Sequence, residues 1–165
     1  MSLQRLILLR HGKAEAKAAS GEDFDRALVE RGRIEAAETG RRLADAGLVP
    51  DLALVSSAAR ALQTWAAVAP AFPAARVEET RALFHASAGE VLGLAEAAGA
   101  ASVMVIGHNP GLHALALALA FPGLAHNTAS RRLREGLPTA AAVVFDFDAG
   151  APAFEALFIP GGDEG

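Results

Sequence analysis

The chain has no cysteine among its 165 residues. That excludes disulfides, thiolate nucleophiles and cysteine-bound zinc. Its five histidines, His11, His85, His108, His113 and His126, show no His-Glu-x-x-His or similarly close ligand spacing, so neither a metal nor a cofactor is expected. No apolar run reaches the ~18 uninterrupted residues of a membrane span. The short apolar run near the N-terminus ends in Arg10-His11 rather than a small-residue cleavage site, so no export signal is read. Basic excess is also missing. The net charge is −4 and the pI about 5.7, which points away from general nucleic-acid or membrane binding. A soluble, cytoplasmic protein is expected. Gly-x-Gly-x-x-Gly and Gly-Lys-Ser/Thr loops are lacking, which sets aside a generic nucleotide-binding domain.

What is present is apolar and helix-prone. Hydrophobic residues make up 52% of the chain, and the mean hydropathy is +0.28. Such a chain folds around a real core, and its abundant alanine favours helix. Length and the absence of an internal repeat predict one domain over 1–165.

Strands and helices alternate. Residues 3–9 read as a buried strand, and residues 13–26 as a polar loop over its end. A helix is predicted over 29–46, with Leu28, Ile34, Ala37, Leu43 and Ala44 as its apolar stripe and Gly47 as its stop. The pair Arg31-Gly32 near its start stands out from the otherwise solvated charged face. A second strand over 52–55 leads to a helix over 58–69, with Ser57 as N-cap. A short strand over 75–78 precedes a helix starting at Ser87 or Ala88. Residues 101–106 are the most apolar strand, followed by a helix over 112–119 with Asn109 as N-cap and Pro110 in the first turn. Residues 121–138, with Arg131, Arg132 and Arg134, read as loops with at most a short helical turn. A hairpin over 140–147 and 152–159 closes the chain, and 160–165 fray.

This order predicts an α/β fold: a three-layer α/β/α sandwich with a mostly parallel sheet and antiparallel C-terminal strands. In such a sheet the strand carboxyl ends share one edge, where ligands bind. Three of those ends carry reactive side chains: Arg10-His11-Gly12, Arg60 in a helix first turn, and Gly107-His108-Asn109. Two arginines and two histidines, with no carboxylate nearby in sequence, make a receptor for a dianion, and phosphate is the natural one. A neutral imidazole there attacks phosphorus in line, while the arginines hold the equatorial oxygens.

These residues carry a resemblance. Leu6 to Ala14, the segment Asp25-Arg26-Ala27-Leu28 with Arg31-Gly32, the stretch Ser56 to Thr64, and Gly107-His108-Asn109-Pro110-Gly111 resemble, in order, four motifs of the histidine phosphatase superfamily. Ala27 stands where the family usually has proline. The likeness runs closest to the small SixA-type phosphohistidine phosphatases. It implies that His11 is the phosphorylated nucleophile and that Arg10, Arg60 and His108 form the phosphate pocket, with Gly12 and Asn109 beside it and no metal. Larger members carry a glutamate acid where this chain has Leu83-Phe84-His85, so His85 stands in the acid's place. A substrate with a good leaving group, such as phosphohistidine, suits that change. The expected partner is a phosphorylated protein or a small phosphoester. A lidless site would favour the protein, a deep polar one the metabolite. A non-catalytic phosphate-binding module is the remaining alternative, though the four pocket residues are all retained.

Overall fold

The computed structural model describes residues 2–121, 127–148 and 150–161. Six strands form one sheet: β1 (Arg5–Arg10), β2 (Leu52–Ser56), β3 (Arg76–Thr80), β4 (Ser102–Gly107), β5 (Ala142–Asp146) and β6 (Ala153–Phe158). Their order is β3-β2-β4-β1-β5-β6. The first four are parallel, and β5 and β6 run antiparallel as a hairpin. The helices are α1 (Glu30–Asp45), α2 (Ala59–Val68), α3 (Ala88–Ala97), α4 (Gly111–Ala120) and α5 (Thr128–Glu135).

The central strands are apolar on both faces because both faces are covered. Ile7, Leu9, Ala53, Val55, Met104 and Ile106 point to α1 and α2, where Ala36, Leu43, Ala61 and Val68 meet them. The alternate residues Leu6, Leu8, Leu52, Leu54, Val103 and Val105 point to α3, α4 and α5, meeting Val91, Leu112, Leu115 and Leu133. This is the expected α/β/α sandwich. No helix among the described residues is long and apolar enough to cross a membrane.

Four local expectations are corrected. The buried face of α1 is Gly32, Ala36, Thr39, Gly40 and Leu43, whereas Ile34 is 56% exposed. Small residues win that face because α1 packs closely: a Cβ on Gly40 would stand 3.1 Å from the Val68 side chain. Ser57 is not the cap of α2. Ala58 occupies that position, and the Ser56 hydroxyl accepts from the Ala58 N–H instead. Asn109 is not the cap of α4 either; Pro110 is, after a cis peptide bond, and the Asn109 amide is used elsewhere. Finally, residues 128–135 form a full helix, α5, begun by a capping box between Asn127 and Ser130. The predicted loop residues 122–126, with His126, and the predicted fraying residues 162–165 lie outside the described residues.

Candidate active site

The sheet register brings the nominated residues together. Arg10, the last residue of β1, lies opposite Gly107, the last of β4. The next residue on each strand is a histidine. The rings of His11 and His108 stand with centroids 5.2 Å apart. Arg60, in the first turn of α2, reaches the same point, with its Nε 3.3 Å from His11 Nε2. His11 and Arg60 are buried, at 7% and 5% exposure.

Hydrogen bonding assigns the His11 tautomer. Its Nδ1 lies 2.8 Å from the Gly12 carbonyl oxygen, which can only accept. Nδ1 therefore carries the proton in the neutral ring, and Nε2 keeps the lone pair that accepts from Arg60 Nε–H. Burial pushes the His11 pKa down to about 4, with Arg60, Arg10 and Arg26 adding in the same direction and the Gly12 bond opposing. The ring is neutral near pH 7.

The loop that carries this ring is seated tightly. The Gly12 N–H donates to Thr64 Oγ1 at 2.9 Å, and the Thr64 hydroxyl donates to the Arg60 carbonyl at 2.7 Å. A Cβ on Gly12 would stand 2.6 Å from the Gly32 carbonyl oxygen, and one on Gly32 would overlap the Lys13 carbonyl oxygen. Glycine is needed at both positions for this approach. Of the pair Arg31-Gly32 it is the glycine that meets this loop; Arg31 is exposed and pairs with Glu35 at 2.9 Å.

The fold adds a group that is distant from Arg60 in sequence. The cationic cluster does have a carboxylate. Arg60 Nη1 donates to the Asp23 carbonyl at 2.8 Å, and Nη2 pairs with Asp23 Oδ2 at 3.0 Å. Asp23 lies within the polar loop predicted over 13–26 and sits on a 3-10 turn, Asp23–Asp25, folded back over the site. Burial raises its pKa, but hydrogen bonds from Arg26 and Arg60 outweigh this and hold it below the ordinary value. With both terminal nitrogens engaged, Arg60 presents Nε to His11.

His108 and Arg10 complete the cluster. His108 Nε2 lies 2.7 Å from the hydroxyl of buried Ser56. That hydroxyl already accepts from Ala58 N–H, so a Ser56 O–H donated to Nε2 leaves the fewest groups idle. Burial, then the positive fields of His11, Arg60 and His85, push the His108 pKa down to about 3. Arg10 Nη1 and Asn109 Nδ2 both donate to the Leu137 carbonyl, at 3.1 and 2.9 Å. Burial and the Arg60 charge lower the Arg10 pKa. Arg10 Nε, His108 Nδ1 and Asn109 Oδ1 are buried without a partner. Three orphaned polar atoms around a cationic pocket are a cost that a bound ligand can offset.

Two clefts open from this cluster and share Asn109. One, of about 340 Å³, is lined by His85, Ala86, Ser87, Ala88, His108, Asn109, Pro110, Gly111 and Ala114. The other, of about 410 Å³, runs from Arg10 and Asn109 to Arg132, Glu135, Leu137 and Ile159. His85 is exposed and holds a left-handed backbone, φ 66°, unusual for a non-glycine residue. Its ring packs on Phe84 at 4.0 Å, and Phe84 also meets His108 at 5.4 Å. Among the described residues, no group of three or more His, Asp or Glu is placed to hold a metal ion.

Sequence reasoning missed Asp23, Ser56, Thr64 and Leu137 as parts of this site. Ser56 and Thr64 lay at the ends of the quoted Arg60 stretch without assigned roles. Leu137 acts through its carbonyl, which no side-chain pattern reveals.

Comparison with known proteins identifies the family and the fold. Residues 6–104 match the family model of the histidine phosphatase superfamily, branch 1. His108 and Asn109 lie beyond that span. Among solved structures, SixA from Agrobacterium tumefaciens superposes with a TM-score of 0.85 at 33% identity, over 97% of this chain and 100% of that one. The protein histidine phosphatase SixA complexed with tungstate gives 0.75 at 26% identity, over 94% and 97%. A 2,3-bisphosphoglycerate-dependent phosphoglycerate mutase of Streptomyces griseus is 45% identical over 62 residues, 36% of this chain. The match spans only 24% of that mutase's length. The chain belongs to the histidine phosphatase superfamily.

Proposed function

We propose that the chain is a phosphohistidine phosphatase that works through a covalent phosphoenzyme on His11. The observation that carries this reading is the orientation of His11: Nδ1–H is held by the Gly12 carbonyl, and the Nε2 lone pair faces Arg60 at 3.3 Å. The SixA likeness, at 33% identity over nearly the whole of both chains, supports the substrate class. Tungstate, a tetrahedral oxyanion, is bound by a second SixA.

In this reading an incoming phosphoryl group takes over the Arg60 Nε–H and frees the lone pair. Nε2 attacks phosphorus in line; the Nε2–P bond forms as the bond to the leaving group breaks. Arg10, Arg60 and His108 stabilise the charge on the equatorial oxygens, which is the work a metal would otherwise do. The leaving imidazole departs neutral once its other nitrogen is protonated. His85, on the cleft beside His108, is the proposed source of that proton. Water then attacks phosphorus, the Nε2–P bond breaks and inorganic phosphate leaves.

The test compares a histidine-phosphorylated peptide with sugar phosphates and nucleotides, and looks for an acid-labile, alkali-stable phosphoenzyme. His11→Ala is expected to abolish both the phosphoenzyme and turnover. Turnover persisting in His11→Ala overturns the nucleophile assignment, and faster hydrolysis of a sugar phosphate than of the peptide overturns the substrate class.

A further inference from the structure

We propose that α5 is a docking surface for an acidic segment of a phosphorylated protein substrate; this rests on the phosphohistidine phosphatase reading above. The helix has one buried side, Ala129, Ser130 and Leu133, packed against the body of the fold. Its other positions carry three arginines, Arg131, Arg132 and Arg134, against one carboxylate, Glu135. The chain as a whole is net −4, so this is a local reversal of sign. Arg131 and Arg134 are exposed, and the Arg134 guanidinium is stacked 4.3 Å from the Phe121 ring centre. A stacked guanidinium is held in place and keeps its positive charge at the surface.

Two further features tie this surface to the reaction centre. Arg132 and Glu135 line the cleft whose far wall is Arg10 and Asn109. The Leu137 carbonyl, just beyond the end of α5, accepts from both of those side chains. The basic helix and the phosphoryl pocket therefore share one groove. Past Asn109 the second cleft continues, walled by small residues, Ala86, Ala88, Gly111 and Ala114. The strand order separates the two: the Leu137 and Ile159 side flanks β5 and β6, and the His85 side follows β3. A small phosphoester fills only the centre of such a layout. A chain with its phosphorylated residue in mid-segment extends both ways. Charge on the α5 side selects acidic neighbours, and its effect fades with salt because the Debye length is only about 8 Å at physiological ionic strength.

The experiment uses two histidine-phosphorylated peptides, prepared with phosphoramidate, with aspartates or lysines at the same flanking positions, and p-nitrophenyl phosphate as the small ester. At low ionic strength the wild type is expected to favour the acidic peptide by about tenfold in kcat/KM, with the gap closing at high salt. In Arg131→Glu/Arg134→Glu the preference is expected to vanish or invert, and Arg131→Lys/Arg134→Lys is expected to keep it. The ratio of acidic-peptide to ester turnover is the readout. Equal turnover of the two peptides by the wild type overturns the proposal, as does a preference that survives the charge reversal. An α5 patch that retains a single-stranded oligonucleotide while the peptides are turned over alike also overturns it. If neither peptide is hydrolysed while the ester is, the phosphohistidine reading fails and the docking proposal falls with it.

Discussion

The Nε–H of Arg60 donates to Nε2 of His11 across 3.3 Å, while Asp23 takes the two terminal nitrogens of the same guanidinium. The cation that guards the lone pair is thus itself steered by a carboxylate. An incoming dianion competes with His11 for Nε–H and with Asp23 for the positive field.

Asp23→Asn is expected to tighten the binding of tungstate. Its carboxylate is 54% exposed, so water screens it. Removing one like charge at ~5 Å in a water-like dielectric is worth roughly 0.8 kcal/mol, about a fourfold gain in affinity. Isothermal titration at pH 7 reads this directly. Unchanged or weaker binding would mean that Asp23 matters by orienting Arg60 rather than by repelling the anion.

Stability is expected to fall on mild acidification. His11 and His108 have folded pKa values of about 4 and about 3, below the ordinary 6.5. Between those values the unfolded chain binds protons that the folded chain refuses, so ΔG of unfolding rises with pH. The contribution is fully present above pH 6.5 and is lost as pH falls toward 4. For His11 alone this is on the order of 3 kcal/mol. Urea midpoints at pH 7 and pH 5 measure it, and His11→Gln/His108→Gln is expected to flatten the difference. A wild-type midpoint that does not move between those pH values contradicts the assignment. A bound oxyanion is expected to reduce the acid sensitivity, since negative charge favours both imidazolium forms.

Thr64 is expected to matter more for catalysis than its position, outside the pocket, suggests. Its hydroxyl joins Gly12 N–H to the Arg60 carbonyl. Thr64→Val keeps the shape but orphans the buried Gly12 N–H, a cost of about 1–3 kcal/mol. The loop holding His11 then loosens. The expected pattern is a drop in kcat of about tenfold or more with little change in KM, and recovery in Thr64→Ser. A Thr64→Val enzyme with wild-type kcat would reduce the residue to a packing role.

Much of this molecule was legible in the linear chain, for reasons that can be named. Ile7, Met104 and Ile106 belong to runs buried on both faces, and such runs read as central parallel strands without further information. Parallel strands place Arg10-His11 and His108 on a common edge, because each follows its strand directly. Arg60 was found for the same reason, one turn into a helix that follows β2. The error at Ile34 has an equally local origin. Periodicity points to large apolar side chains, whereas α1 packs through Gly32, Gly40 and Ala36, and close helix packing selects small side chains.

Other relationships carry no spacing and arise only on folding. Asp23 meets Arg60 because a loop folds back over the sheet edge, and a loop path depends on long-range contacts rather than periodicity. The Leu137 carbonyl serves Arg10 and Asn109, and any residue at that position supplies a carbonyl. The Gly12 carbonyl chooses the His11 tautomer in the same anonymous way. The sandwich, the sheet edge and the placement of four cation-capable residues along it follow from strand periodicity and chain order alone. The protonation states, the clamp on Arg60 and the groove joining α5 to the pocket were decided in three dimensions, because hydrogen-bond direction and desolvation exist only there.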